Sequence, residues 1–370
     1  MNGPPKDLSQ KNPKFEFFMV DKFSNISFLS FVCLLICQRV TAASLTAADE
    51  RPEKVVADAS TTQAKKPYWS DPLKNIPVGP YELDISGSVR LRFEHSDDFN
   101  IQRYADQRRP TLSRDGFLLH RSRLDFNLRF SEHANFYTQF QDARLYDSDL
   151  AKSDFTLGCP YWNSFGLRQA YLEWRQINNT AFGVKLGRQS IFYGDNRIWG
   201  PGEWGNVGRY TWDAVKLIAE AKSAEVHFLF ARRVTYDDGV YRTFDGAFGA
   251  VDKMYGRMNL FSWMNIHDFQ LSCGLKPTER TTASVDWHWF YLDEAKDAWY
   301  YCNGRPQRRD PTGQAGSAVG QEIDLVVSHK YSDHLKFQAG YAHFFPGGFL
   351  KDTGPSPDAD WVFFQTLYSF

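Results

Sequence analysis

The sequence predicts an all-β fold: an antiparallel transmembrane β-barrel of about twelve strands, with short periplasmic turns at one end and long extracellular loops at the other. Three observations carry that expectation. Apolar and polar residues alternate with a period of two through segment after segment, the pattern of a sheet that separates two environments. Mean hydropathy is -0.48 although 16% of the residues are aromatic, as strands with one face to lipid and one to water require. Finally, the alternating segments are joined in turn by a few residues and by long Gly-rich or polar stretches.

Residues 1–48 read as a signal peptide. Lysines 6, 11, 14 and 22 precede an apolar run over residues 26–37, and small residues follow, so that cleavage is expected after Ala43 or Ala48. The run is too short to span a bilayer comfortably. Met19 is an alternative start, and the bulky Ile36 before Cys37 disfavours a lipoprotein site. No later apolar run is long enough for a transmembrane helix, so any further crossing falls to strands. Residues 49–80, rich in Ala, Lys, Pro and Thr, read as a periplasmic linker. The barrel is expected over residues 81–370.

The clearest strand starts the barrel. Tyr81, Leu83, Ile85, Val89, Leu91 and Phe93 share one face, and Glu82, Asp84, Ser86, Arg90, Arg92 and Glu94 share the other. Further outward rows are Leu124–Phe126–Leu128–Phe130, Phe136–Thr138–Phe140, Ala170–Leu172–Trp174, Phe182–Val184–Leu186, Val215–Leu217 and Val226–Phe228–Phe230. Residues 232–266 lack a pattern and read mostly as loop; an added strand pair there would raise the count to about fourteen. Beyond them come rows through Phe269–Leu275, Val285–Trp289, Ile323–Val327, Leu335–Tyr341 and Val362–Phe370. The closing aromatic strand resembles the assembly signal read by the barrel assembly machinery.

Alternation sends the charges inward. Arg90, Arg92, Arg121, Arg123, Arg129, Lys185 and Lys216 face the lumen beside Asp84, Glu94, Asp125, Glu173, Asp286 and Glu322, where no charge has to enter lipid. Two readings stay open for them. The planar guanidinium fork suits carboxylates, so a ladder of weak sites would let an anionic chain step through. Alternatively, the cations simply pair with neighbouring acids and stiffen the wall. Arg90, Arg92, Arg123, Arg129 and Lys185 are the candidates for the substrate path.

Residues 165–218 also carry a resemblance. Gly187-Arg188-Gln189, Tyr193-Gly194-Asp195 with Arg197, then Trp204, Asn206, Arg209 and Asp213-Ala214-Val215 resemble the bacterial alginate export family. The resemblance implies a monomeric outer-membrane barrel that passes an anionic polysaccharide or its oligomers. It also implies that Arg188, Asp195, Arg197 and Arg209 constrict the pore. Strand parity places Arg188 beside Leu186 on the lipid-facing side unless the strand bulges near Gly187 or has left the membrane; the second is favoured and sets the cluster at the outer rim, folding the Gly-rich loop over the mouth, with anchoring of the loop by salt bridges as the alternative.

Other classes are disfavoured. A formal net charge of -1 gives no pull toward nucleic acid. Scattered histidines without a Gly-x-Ser-x-Gly elbow, and the lack of zinc-type or phosphate-loop motifs, argue against an enzyme, a metal or a cofactor. A general or anion-preferring porin and a secreted carbohydrate-binding β-sandwich are the alternatives. Of five cysteines, Cys159 and Cys302 fall in expected outer loops, where an oxidising compartment would allow them to pair.

Overall fold

The computed structural model describes residues 36–39, 67–98, 114–150, 161–193, 196, 200–208, 210–221, 224–234, 254–302, 304 and 306–370. Its first half contains β1 (Ile36–Arg39), β2 (Ile76–Val78), β3 (Tyr81–Asp97), β4 (Arg114–Ser131), β5 (Ala134–Tyr146), β6 (Asn163–Trp174), β7 (Phe182–Gln189), β8 (Trp212–Ala221) and β9 (Ala224–Arg233). The second half contains β10 (His267–Thr278), β11 (Thr281–Tyr291), β12 (Ala298–Tyr300), β13 (Pro306–Arg309), β14 (Ala318–Lys330), β15 (Leu335–Pro346), α1 (Gly348–Thr353) and β16 (Ala359–Ser369).

The main sheet has fourteen strands, of which β1 and β2 are short additions, β1 beside β9 and β2 beside the start of β3. The other twelve are the strands that alternation predicted. The two extra strands do not come from the unpatterned stretch: β2 lies in the expected linker and β1 within the residues expected as leader. Every ladder is antiparallel between neighbours in the sheet, and β3 pairs with β16 from Ser88↔Ser369 to Asp97↔Asp360. First and last long strands therefore meet, as in an up-and-down barrel. Among the described residues no ladder joins β9 to β10. With 17 and 18 residues, β3 and β4 exceed the roughly 9–11 needed for a tilted crossing, so their outer ends stand above the membrane.

The outward face is greasy as the alternation demands: Leu91, Phe93, Leu186, Leu217, Phe269, Leu271 and Phe364 are all exposed. Inside, the two walls differ. The β3–β7 side carries the charged residues. Against the β11–β16 side an apolar core collects Phe290, Phe344 and Phe363 with Phe349 of α1 and with Met258, Leu260 and Phe261. Those last three belong to the unpatterned stretch, which packs into the bore instead of forming strands.

At the short-turn end, residues ahead of β3 fasten the last strand. Tyr68 stacks on His334 with ring centres 3.5 Å apart, and its hydroxyl lies 2.7 Å from that of Tyr368. Trp69 donates from Nε1 to the same hydroxyl and packs on Phe370 at 5.0 Å. Phe370 in turn covers Gly87, where a Cβ would stand 2.8 Å from its ring. A Trp69→Ala protein loses one hydrogen bond and its ring contacts with Tyr68 and Phe370, a deficit of about 1 kcal/mol or more. Its mobility shift on graded heating should move down by a few degrees; an unchanged midpoint would show that the strap does not hold the strand.

Candidate functional site

The site is an inserted segment, residues 200–208, seated on the charged wall. Five guanidiniums, from β3, β4 and β6, reach it. From β3, Arg90 donates to the carbonyls of Glu203 and Gly205 at 3.0 Å each, and Arg92 donates to the Trp204 carbonyl at 2.6 Å. From β4, Arg121 donates to the Glu203 carbonyl at 3.0 Å. From β6, Arg168 donates to the Val207 carbonyl at 2.9 Å, which Gln141 of β5 also reaches at 2.7 Å. Asn206, fully buried, donates its amide to the carbonyls of His120, Arg144 and Tyr161.

The Glu203 carboxylate is the electrostatic centre. It lies 2.6 Å from Arg123, 2.7 Å from Arg168 and 3.5 Å from Arg121. Burial pushes this carboxyl upward, but the guanidiniums of Arg123, Arg168 and Arg121 outweigh it and hold the group well below the usual carboxylate range. One glycine is needed for the fit. Gly208 has φ 79°, and a Cβ there would stand 2.5 Å from the Arg168 guanidinium.

Trp204 carries the segment across to the apolar side. Arg92 lies over its ring at 4.1 Å and Arg257 at 5.6 Å, while Phe363 meets it edge-on at 4.9 Å. Arg257 belongs to the second insertion, residues 254–266, which has its own anchors. The Met258 amide donates to Glu322 at 2.8 Å and the Arg257 amide to Asp324 at 3.1 Å. Beside them His288 sits 2.9 Å from Asp268. Two insertions thus meet through one indole.

The lower bore has a separate lattice. Arg175, the residue after β6, binds Glu173, Glu220 and Glu225, and Glu225 also meets His227 at 2.8 Å. Lys185 reaches Glu173 at 3.3 Å and stands 3.6 Å over the Tyr171 ring, which stacks on Tyr137.

Of the residues expected on the substrate path, Arg90, Arg92, Arg123 and Lys185 face inward. The first three are not presented to an empty lumen: they hold the inserted segment, and Arg92 also pairs with Glu94 at 2.7 Å. Arg129 lies at the short-turn end, bound to Glu82 at 2.8 Å and Asp84 at 3.3 Å. Arg188 points outward from β7 and pairs with Asp213 of β8 at 2.9 Å, so it does not constrict the bore. Asp195, Arg197 and Arg209 lie outside the described residues, as does Cys159, on which the expected disulfide depends. The described residues 200–208 of the Gly-rich loop enter the bore rather than covering the rim. Arg168 escaped the alternation because a register shift between Gln139 and Phe140 of β5 bulges β6 and turns it inward. Glu203 carried no signal beyond its place among glycines.

The sequence pattern of a known family, described as alginate export, matches residues 81–232 and 223–363. No curated protein matches the chain. Among solved structures, Pseudomonas putida OprB is similar with 11% identity over 78% of this chain and 94% of that one, TM-score 0.38. An anion-selective porin from Comamonas acidovorans shows 9% identity over 78% and 100%, TM-score 0.37. OmpT of Vibrio cholerae, described as an outer membrane protein, shows 9% identity over 80% and 100%, TM-score 0.34.

Proposed function

The chain belongs to the alginate export family, and from that premise we propose that this outer-membrane channel passes an anionic polysaccharide such as alginate, or its oligomers, along a lumen lined by arginine and lysine. One observation supports the substrate class most directly. The five guanidiniums on the β3–β6 wall are engaged with oxygen acceptors from a segment that is not part of the wall, so displacement of that segment would present them to an incoming carboxylate. Arg90, Arg92, Arg121, Arg123 and Arg168 form the upper part of this path, Lys185 the lower part and Arg129 its foot. By family resemblance Asp195, Arg197 and Arg209 belong to the mouth. The protein works as a monomer, inserted by the barrel assembly machinery, without catalytic chemistry, metal or cofactor.

Conduction requires the segment to leave its seat, which makes the observed arrangement a closed one. Planar-bilayer recording tests the reading. Oligomannuronate of about six units should block the current at concentrations where maltohexaose of equal length does not, because each charge-assisted hydrogen bond contributes about 1.5–3 kcal/mol. Replacing Arg121 and Arg123 together with Gln should move the reversal potential away from anions and relieve that block. Equal block by both oligosaccharides, or an unmoved reversal potential, would reduce the protein to an unselective porin.

A further inference from the structure

Passage through the bore calls for no catalytic group, and the candidate for one lies on the opposite face of the wall. The outward rows of β3, β4 and β5 are apolar for most of their length, through Leu91 and Phe93, Leu124 and Phe126, and Phe136 and Phe140. Four polar side chains interrupt them. His120 and Ser122 continue the outward row of β4 above Leu124, and Arg144 and Asp142 stand opposite them on β5, His120↔Arg144 and Ser122↔Asp142. Ionisable side chains turned toward lipid are costly, and a group of them on that face calls for a task.

Two of the four have the geometry of a nucleophile and its base. Ser122 Oγ lies 2.9 Å from His120 Nε2, a contact available because residues two apart on a strand share a face. Across the ladder, Arg144 donates to both oxygens of Asp142 at 2.9 and 2.7 Å and lies over the Trp162 ring at 5.4 Å. Its guanidinium is therefore held beside the pair. All four side chains are half-buried. Their depth is also informative. Counted up from the short turn at Ser131, Ser122 and His120 fall near the end of the roughly 9–11 residues that a tilted strand needs to cross. Just above them the exposed rings of Phe93 and Tyr146 flank Leu118, and just below them Phe140 and Phe165 stack at 5.4 Å. Interfacial rings above and a hydrocarbon-facing surface below mark the level at which lipid ester bonds lie.

We propose that Ser122 and His120 form an ester-hydrolysing site on the outside of the barrel, acting on fatty acyl esters of lipids in the outer leaflet. The Ser122 hydroxyl adds to the ester carbonyl as its proton passes to His120 Nε2. The bond from the carbonyl carbon to the alcohol oxygen then breaks, and the same proton goes to the leaving lipid alcohol. Water adds to the acyl-serine and gives a proton to His120; the Ser122 oxygen departs, takes that proton back, and the fatty acid is released. Arg144 supplies positive charge for the oxygen that becomes negative at each addition. The site uses nothing from the arginine wall or the inserted segments, so it stands or falls apart from the channel reading.

The test is release of free fatty acid by the full-length protein in mixed micelles, read by mass spectrometry, with phosphatidylethanolamine in one arm and lipopolysaccharide in the other. The native protein should release fatty acid in at least one arm, and the arm that responds identifies the lipid. Ser122→Ala and His120→Gln should each lower the rate about a hundredfold or more, while single-channel current and the midpoint on graded heating stay at native values. A long-chain alkylsulfonyl fluoride should attach to Ser122 of the native protein, as read by peptide mapping, and should fail to attach in His120→Gln. Release in neither arm overturns the site, and so does release that survives Ser122→Ala. Should either variant fold poorly, the label on the native protein decides, since a native Ser122 left unlabelled overturns the site as well.

Discussion

A Glu203→Gln channel is expected to stand open far more of the time than the native one. The substitution keeps the shape of the inserted segment and removes the charge shared by Arg121, Arg123 and Arg168. Breaking a buried ion cluster from one side costs about 3 kcal/mol or more, which is about a hundredfold in the ratio of seated to released segment. Acid should imitate the change in the native protein. The Glu203 carboxyl is held below its ordinary range, so its contribution to seating is fully present above ordinary carboxylate values and is lost as pH falls through the lowered one. Native open probability should therefore rise only in strong acid, while the Glu203→Gln channel should be indifferent to pH over that window. Single-channel recording reads both; a variant as closed as the native protein at neutral pH would show that the carboxylate does not hold the segment.

The second large effect belongs to Trp204. Its indole lies between Arg92 and Arg257 and against Phe363, so Trp204→Ala unseats both insertions at their junction. Loss of a buried tryptophan costs about 3–5 kcal/mol. Swelling of proteoliposomes in neutral sugars should accelerate, since the apolar side of the bore opens along with the charged one. Glu203→Gln should accelerate anion flux with a smaller gain for neutral solutes, because the 254–266 insertion keeps its anchors on Glu322 and Asp324. Equal gains in the two variants would show that the insertions move as one.

The strands were legible because lipid and lumen impose opposite demands on successive side chains. Tyr81, Leu83, Leu91 and Phe93 declare one face of β3 and Arg90, Arg92 and Glu94 the other, and twelve such rows recur. What fills the bore was not legible, since inserted segments have no period. Phe261 and Trp204 read as loop residues, and only the fold shows them buried. Arg168 illustrates a second limit: a single bulge in β6 reverses a side chain, and parity counted from Ala170 puts it on the wrong face. Arg188 is the converse case. Family resemblance implied a constriction role, but strand parity, which placed it beside Leu186 on the outer face, agrees with the observed Arg188–Asp213 pair.

The strap of Tyr68 and Trp69 has a consequence for the order of biogenesis. These aromatic residues precede the twelve long strands in the chain, whereas their partners, Tyr368 and Phe370, lie in and just after β16, the last of those strands. Their docking cannot occur until β16 has been delivered, so a crosslink between positions 69 and 370 would date the moment at which the last of the twelve long strands is in place.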